Sequence, residues 1–434
     1  MYTPNSIVSR FSNCISMVTD SIGCYCSDPV SDFTRRRKLP VDVLIKYLIQ
    51  NQSKATKSEL CEYFVSSEDI PSDSALCQQR NKLDPLALKR ICDLFTHSFE
   101  DYKTLKGYYI LACDGSDINI PFDKNDKETF CQNSRNSKPF SQFHLNALYD
   151  CINEVYWDVS IDAASKKREC DALINMIKER KYPTKSIIIA DRGYEKYNLM
   201  AHCIKSNQKY LIRVKDINSN GILHSLQLPD CEFDMNVKKI LTYSQSRKHG
   251  KDGKEYAILS NCSSKFDFID YDHDEYEIDF RVVRFKITED TYECLVTNLD
   301  EDEFSIEELK QLYHLRWSEE TSFRELKYTV GMVNFHSKKR TFLKQEIYAR
   351  IILFNLSNII TNRIKIKQKD KWKNKMEINQ STALTNIRLY LNGRINEKEL
   401  VARLKKYLVP VRPDRKYKRN MKFKTVVPTT YKAS

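Results

Sequence analysis

What this 434-residue chain lacks narrows it before anything it contains. Its fourteen cysteines are scattered singly. None forms a C-x-x-C pair, no His/Cys cluster has zinc spacing, and the one close pair is Cys24-Tyr25-Cys26. Dispersed thiols in a long chain read as small hydrophobes in a reducing compartment, not as a disulfide frame or a zinc site. The first twenty residues hold no unbroken apolar stretch, so a signal peptide is not expected. The longest greasy run, Ile347 to Ile360, is interrupted by Arg350 and Asn355 and is too short to span a bilayer. No internal repeat is visible. These absences point to a soluble, cytoplasmic protein with no membrane partner.

What is present is basic charge. Lys and Arg total 71 against 58 Asp and Glu, a net +13. Such an excess favours a polyanionic partner, nucleic acid before membrane, because Lys and Arg displace counterions condensed on phosphates. With 41% hydrophobic residues, the chain can build cores for two or three domains.

The texture changes along the chain and predicts a mixed α/β protein. Residues 1–33 are expected to be a poorly ordered leader. Residues 34–105 read as helical, with Ser72 or Asp73 as a cap and Pro85 near a helix end. Short helices with tight connections suit helix-turn-helix DNA binding, in which Gln78, Gln79, Arg80 and Lys82 would line an exposed face, and they suit three helices merely packed on one another about equally well. Residues 106–215 read as three strands, helix, strand, helix, strand, with the apolar "SIIIA" as a central strand. Residues 216–300 read as a β-rich insertion whose acidic run departs from a calcium loop, since Glu275 stands where that loop requires Gly. Residues 301–365 return to helix. Residues 366–434 form a basic C-terminal region of the kind that binds phosphate without reading sequence.

Two aspartates stand at the ends of apolar strands: Asp114 after "YYILAC" and Asp191 after "SIIIA". Asp117 competes with Asp114, but Asp114 directly continues the apolar run. Further on, "YHLRWSEETSFRELK" sets Tyr313, Arg316, Glu320 and Lys327 at offsets 0, 3, 7 and 14. At about 100° per residue these fall within one arc of roughly 60° on a helix. Leu312, Leu315, Phe323 and Leu326 make a separate apolar stripe. Glu319 points into that stripe, so Glu320 is the better ligand. Asp114, Asp191 and Glu320 together offer the oxygen-only donors that suit Mg²⁺ or Mn²⁺, with two ions serving phosphoryl transfer.

The spacing Y-x2-R-x3-E-x6-K, met by Tyr313, Arg316, Glu320 and Lys327, resembles the signature of the DDE transposases of bacterial insertion sequences, in the insertion-sequence-four family. "DGS" after the first strand, "DRGY" after the fourth, "RRRKLP", "SALCQQRNKL" and "PVRPDRKYKR" are also similar to that family. The resemblance runs from about residue 34 to 425. It implies a ribonuclease-H-like catalytic core interrupted by the β-rich insertion, with a helical N-terminal DNA-binding domain and a basic helical C-terminal region. Asp114, Asp191 and Glu320 would be catalytic metal ligands, and Tyr313, Arg316, Lys327 and Arg192 would contact DNA. It also implies a protein acting on the nucleoid as a homodimer on paired ends. Such an enzyme would cut at terminal inverted repeats through a hairpin and join 3′ ends to target DNA. An aromatic in the insertion would stack on a flipped base. No Trp lies in 216–300; Tyr292 is the nearest aromatic, and Glu293 fits the spacing about as well. Two rival readings are a stand-alone metal-dependent nuclease and a non-catalytic DNA-binding derivative. The derivative would be marked by loss of an acidic ligand, and all three are present.

Overall fold

The computed structural model of the chain describes residues 2–412 and 430–431, apart from 36–37, 53, 180, 225, 246–254, 260–265, 271–273 and 290. The leader expected to be poorly ordered is largely a helix, α1 (Pro4–Asp20). Thr3 and Ser6 explain the difference. The Thr3 hydroxyl accepts the Ser6 amide, Ser6 accepts the Thr3 amide, and Pro4 opens the first turn. Ile7, Phe11, Ile15 and Val18 then form a buried stripe. Four helices follow: α2 (Val41–Gln50), α3 (Thr56–Tyr63), α4 (Asp73–Lys82) and α5 (Pro85–Thr96). Ser72 caps α4 and Asp84 caps α5.

Among the described residues, ten strands make one mixed sheet. They are β1 (Tyr109–Ile120), β2 (Phe130–Cys131), β3 (Phe140–Asp150), β4 (Val155–Ala163), β5 (Ser186–Ala190), β6 (Lys209–Val214), β7 (Phe233–Thr242), β8 (Tyr256–Ile258), β9 (Glu275–Thr288) and β10 (Thr291–Thr297). Their order is β2-β3-β1-β5-β6-β10-β9-β7-β8, with β4 also on β3. Two helices, α6 (Glu169–Glu179) and α7 (Tyr197–Lys205), make the crossovers that keep β1, β5 and β6 parallel. Every residue of β5 is buried, as its unbroken apolar run requires. The strands between 216 and 300 continue this sheet, joined edge to edge where β10 pairs with β6.

The remainder is α8 (Ile306–His314), α9 (Trp317–Tyr328), β11 (Asn334–Phe335), α10 (Arg340–Thr361), β12 (Met376–Ile378), α11 (Gln380–Leu391), α12 (Glu397–Lys406), β13 (Leu408–Pro410) and β14 (Thr430–Tyr431). The strongly basic stretch 413–429 lies outside the described residues. Among the described residues, no helix is long and apolar enough to cross a membrane.

The greasy run falls on α10, where every residue from Gln345 to Thr361 is buried. Its polar residues are spent on fixed partners. Asn355 accepts the Tyr156 amide (2.8 Å) and donates to the Tyr156 carbonyl (2.8 Å), tying the helix to β4. Glu346 lies 3.0 Å from Arg80, 3.4 Å from Arg350 and 3.2 Å from His336. Burial alone would neutralise Glu346, but Arg80, His336 and Arg350 outweigh it and hold its pKa down to about 2. Burial likewise opposes charge on His336, but Glu346 and Glu59 outweigh it and raise the pKa to about 9.

The signs give a stability profile. Stability from protonated His336 is fully present below its ordinary value of 6.5 and is lost as pH rises through about 9. That from ionised Glu346 is present above 4.5 and is lost as pH falls through about 2. Melting curves of wild type and His336→Gln should therefore differ most below pH 6.5 and draw together toward pH 9. A gap that stays constant across that range would remove His336 from the account.

Candidate active site

β1 and β5 run parallel in register to Cys113 opposite Ala190, so Asp114 and Asp191 are the next residues on neighbouring strands. Here the sheet divides. β5 stops and the chain turns, with Asp191 accepting the Gly193 amide at 2.7 Å. β1 does not end at Asp114 as its sequence suggests; it continues to Ile120, paired on one side only with β3. The strand-poor residues Gly115, Ser116 and Asp117 stay extended because β3 supplies the ladder. The aspartates thus sit in the crevice beyond the carboxyl ends of parallel strands. Burial raises the Asp114 pKa to about 6; Asp191 adds to this, while the Gly115 amide and Arg316 oppose it.

The segment expected as one helix is two. Between α8 and α9 the amides of Leu315, Arg316, Ser318 and Glu319 donate three residues back rather than four. The Ser318 hydroxyl also donates to the Leu315 carbonyl (2.7 Å). This tighter winding advances the residues after it around the axis, so the four signature residues do not form one exposed ridge. Tyr313 and Arg316 are buried, while Glu320 is half exposed. The Arg316 guanidinium donates to Glu320 (3.1 Å) and also acts on Asp114. Lys327 donates to the Ser116 hydroxyl (2.7 Å), two residues beyond Asp114. Glu319 is fully enclosed beside Asp114, and among the described residues neither carboxyl oxygen has an aligned partner. Burial, reinforced by Asp114, drives its pKa far above the carboxylate range.

A family model described as the transposase DDE domain matches residues 105–356. The chain belongs to this DDE transposase family. It also resembles a piggyBac transposase solved by cryo-electron microscopy as a synaptic complex with hairpin DNA. The identity is 12%, the TM-score is 0.46, and the match covers 92% of this chain and 82% of that one. No curated protein matches. The transposase domain spans β1 to α10 and contains all three acidic residues singled out from the sequence.

Other expected contacts of the transposase lie elsewhere. Gln79 and Arg80 do not line an exposed face: both are buried. Arg80 donates to Gln345 (3.1 Å) and the Phe342 carbonyl (2.9 Å) and pairs with Glu346. A guanidinium with that many internal partners is a strut between α4 and α10. Lys82 is partly exposed and pairs with Asp32 at 3.2 Å. Tyr292 carries the Arg284 guanidinium 3.7 Å over its ring. Strand alternation sends it away from its neighbour Glu293. Glu293 is the residue that faces the signature: it lies 3.5 Å from Arg213, and Arg213, Arg192 and Arg316 offset the rise that burial causes in its pKa. Arg192 itself is exposed.

Among the described residues, no three His, Cys, Asp or Glu side chains gather closely enough to hold a metal ion by themselves. The donors nevertheless fit a hard divalent cation. Asp114 and Asp191 offer carboxylate oxygens from adjacent strand ends, and the repulsion by which Asp191 adds to the effect of burial on the Asp114 pKa is one that a cation would relieve.

Proposed function

We propose that this transposase cleaves DNA at terminal inverted repeats and joins the 3′ ends to target DNA, as a member of the insertion-sequence-four branch with a ribonuclease-H-like core. The observation that carries the reading is the meeting of Asp114 and Asp191 with Arg316 and Lys327, which arrive from α9 and its start. Asp114, Asp191 and Glu320 would hold Mg²⁺ or Mn²⁺, two ions in all. Bound there, the metal would activate the attacking oxygen and stabilise the leaving one. Arg316 now holds Glu320. A DNA phosphate competing for that guanidinium would release the carboxylate toward the aspartates, since arginine forks readily onto phosphate. Lys327 would place a point charge beside the same phosphate. A hairpin intermediate and a homodimer on paired ends complete the reading.

The test uses the full chain and a labelled duplex carrying the repeats that flank its reading frame. Asp114→Asn or Asp191→Asn should abolish Mg²⁺-dependent cleavage while a gel shift on the same DNA is retained. Cleavage that survives both changes would refute the assignment. Arg316→Ala or Lys327→Ala should slow cleavage roughly ten- to two-hundred-fold, the equivalent of about 1.5–3 kcal/mol for a charge-assisted bond. Tyr313→Phe should be the mildest, because the hydroxyl it removes is buried and, among the described residues, without an aligned partner. A Tyr313→Phe loss as large as that of Arg316→Ala would give the hydroxyl a role absent from this account.

A further inference from the structure

His144 on β3 is fully buried, yet it stands between two carboxylates. Its Nδ1 is 2.7 Å from Asp117, and its Nε2 is 3.1 Å from Glu169 Oε1, a charge contact outside hydrogen-bond alignment. Lys167 closes the group from the solvent side, 3.3 Å from Asp117 and 3.4 Å from Glu169. Glu169 opens α6, the crossover helix that leads to β5. Two glycines mark where it lies relative to Asp114 and Asp191. A Cβ on Gly115 would fall 2.3 Å from His144 Nε2 and 2.7 Å from Glu169 Oε1. A Cβ on Gly193 would fall 3.9 Å from Glu169 Oε2 and 3.0 Å from Asp191 Oδ1. One carboxylate therefore lies against the residue after Asp114 and the second residue after Asp191.

We infer that Glu169, clamped by His144, is a positioning residue that sets the separation of Asp114 and Asp191 and thereby their affinity for a divalent cation. The inference rests on the reading that these aspartates hold the metal. The physical reason is local. The two chain paths diverge here, since β1 continues in the sheet while β5 stops and turns, and among the described residues no ladder bond joins them beyond Cys113 and Ala190. Glu169 spans that gap from a third element. Its own orientation is held by His144 and Lys167, as outer groups orient ligands in metal sites generally. Gly115 is required because any side chain would displace the clamp.

The test is a Mn²⁺ titration of the full-length protein followed by electron paramagnetic resonance, with cleavage kinetics and melting measured alongside. Glu169→Gln keeps the volume and removes the charge; Gly115→Ala keeps the charge and displaces it. Both should weaken Mn²⁺ binding about ten- to a hundred-fold. In both, kcat for end cleavage should fall while KM for DNA is unchanged. If both variants bind Mn²⁺ within twofold of wild type while Asp191→Asn binds weakly, the group is only structural and the inference fails, whatever their melting temperatures. If Asp191→Asn itself binds Mn²⁺ like wild type, the underlying metal reading fails instead.

Discussion

Glu320→Gln is expected to eliminate end cleavage, and Glu319→Gln, one residue away, is expected to leave it within a few-fold of wild type. The two glutamates differ in environment rather than chemistry. Glu320 is half exposed and lies 3.1 Å from Arg316, an arginine that also acts on Asp114. Gln keeps its volume but removes the anion. A metal site that loses several kcal/mol of charge stabilisation slows on the order of a thousandfold. DNA binding should be retained or tightened, since Arg316 loses its internal competitor. Glu319 is enclosed, and burial and Asp114 both disfavour charge on it, so an amide at this position removes less than it does at 320. Single-turnover cleavage of end DNA in Mg²⁺ compares the two directly. Near wild-type cutting by the position-320 variant, or loss of cutting only at 319, would reverse the assignment.

The largest effect on stability is expected far from this site, in the buried charge group of α10. Glu346→Gln leaves Arg80, Arg350 and His336 facing one another without their shared anion. Breaking a buried pair by removing one partner typically costs about 3–5 kcal/mol, because the remaining charge stays desolvated. Arg80→Ala should cost as much by the converse route, and it also removes the donors to Gln345 and the Phe342 carbonyl. Arg403→Ala, which breaks an exposed pair with Glu399 on α12, should stay within about 0.5 kcal/mol. Urea unfolding with a shared slope separates these outcomes. A Glu346→Gln midpoint close to that of Arg403→Ala would show that the α10 charges are better hydrated than their burial implies.

How much was legible in the sequence depended on how local the determining interaction is. β5 and Asp191 are plain in "SIIIADRG", because a strand buried on both faces must be apolar throughout. β1 past Asp114 was not legible. "GSDIN" has the composition of a turn, and only pairing with a strand some thirty residues on keeps it extended. The break between α8 and α9 was hidden because Leu315 and Arg316 keep helical torsions while their bonds shorten by one residue. Arg80 was misplaced because its partner Glu346 is 266 residues distant. A signal was available: Leu76, Arg80 and Leu83 follow the i, i+4, i+7 spacing of a buried stripe, and the first and last are core residues. His144 left no such trace, since β3 also carries Ser141, Asn146 and Asp150 as buried polar residues.

The burial of α10 also governs when the protein can become a protein. Its residues pack on α5, α2 and β4, elements made early in synthesis, yet the helix is complete only at residue 361. Until the ribosome has released that stretch, the N-terminal helices and the β4 edge expose the apolar surface that α10 will cover, and Arg80 has no counter-charge. Contacts of such long sequence separation form slowly and leave nascent chains prone to association. A fragment ending before α10 should therefore accumulate as aggregate, and a fused N-terminal piece should bind chaperones rather than DNA.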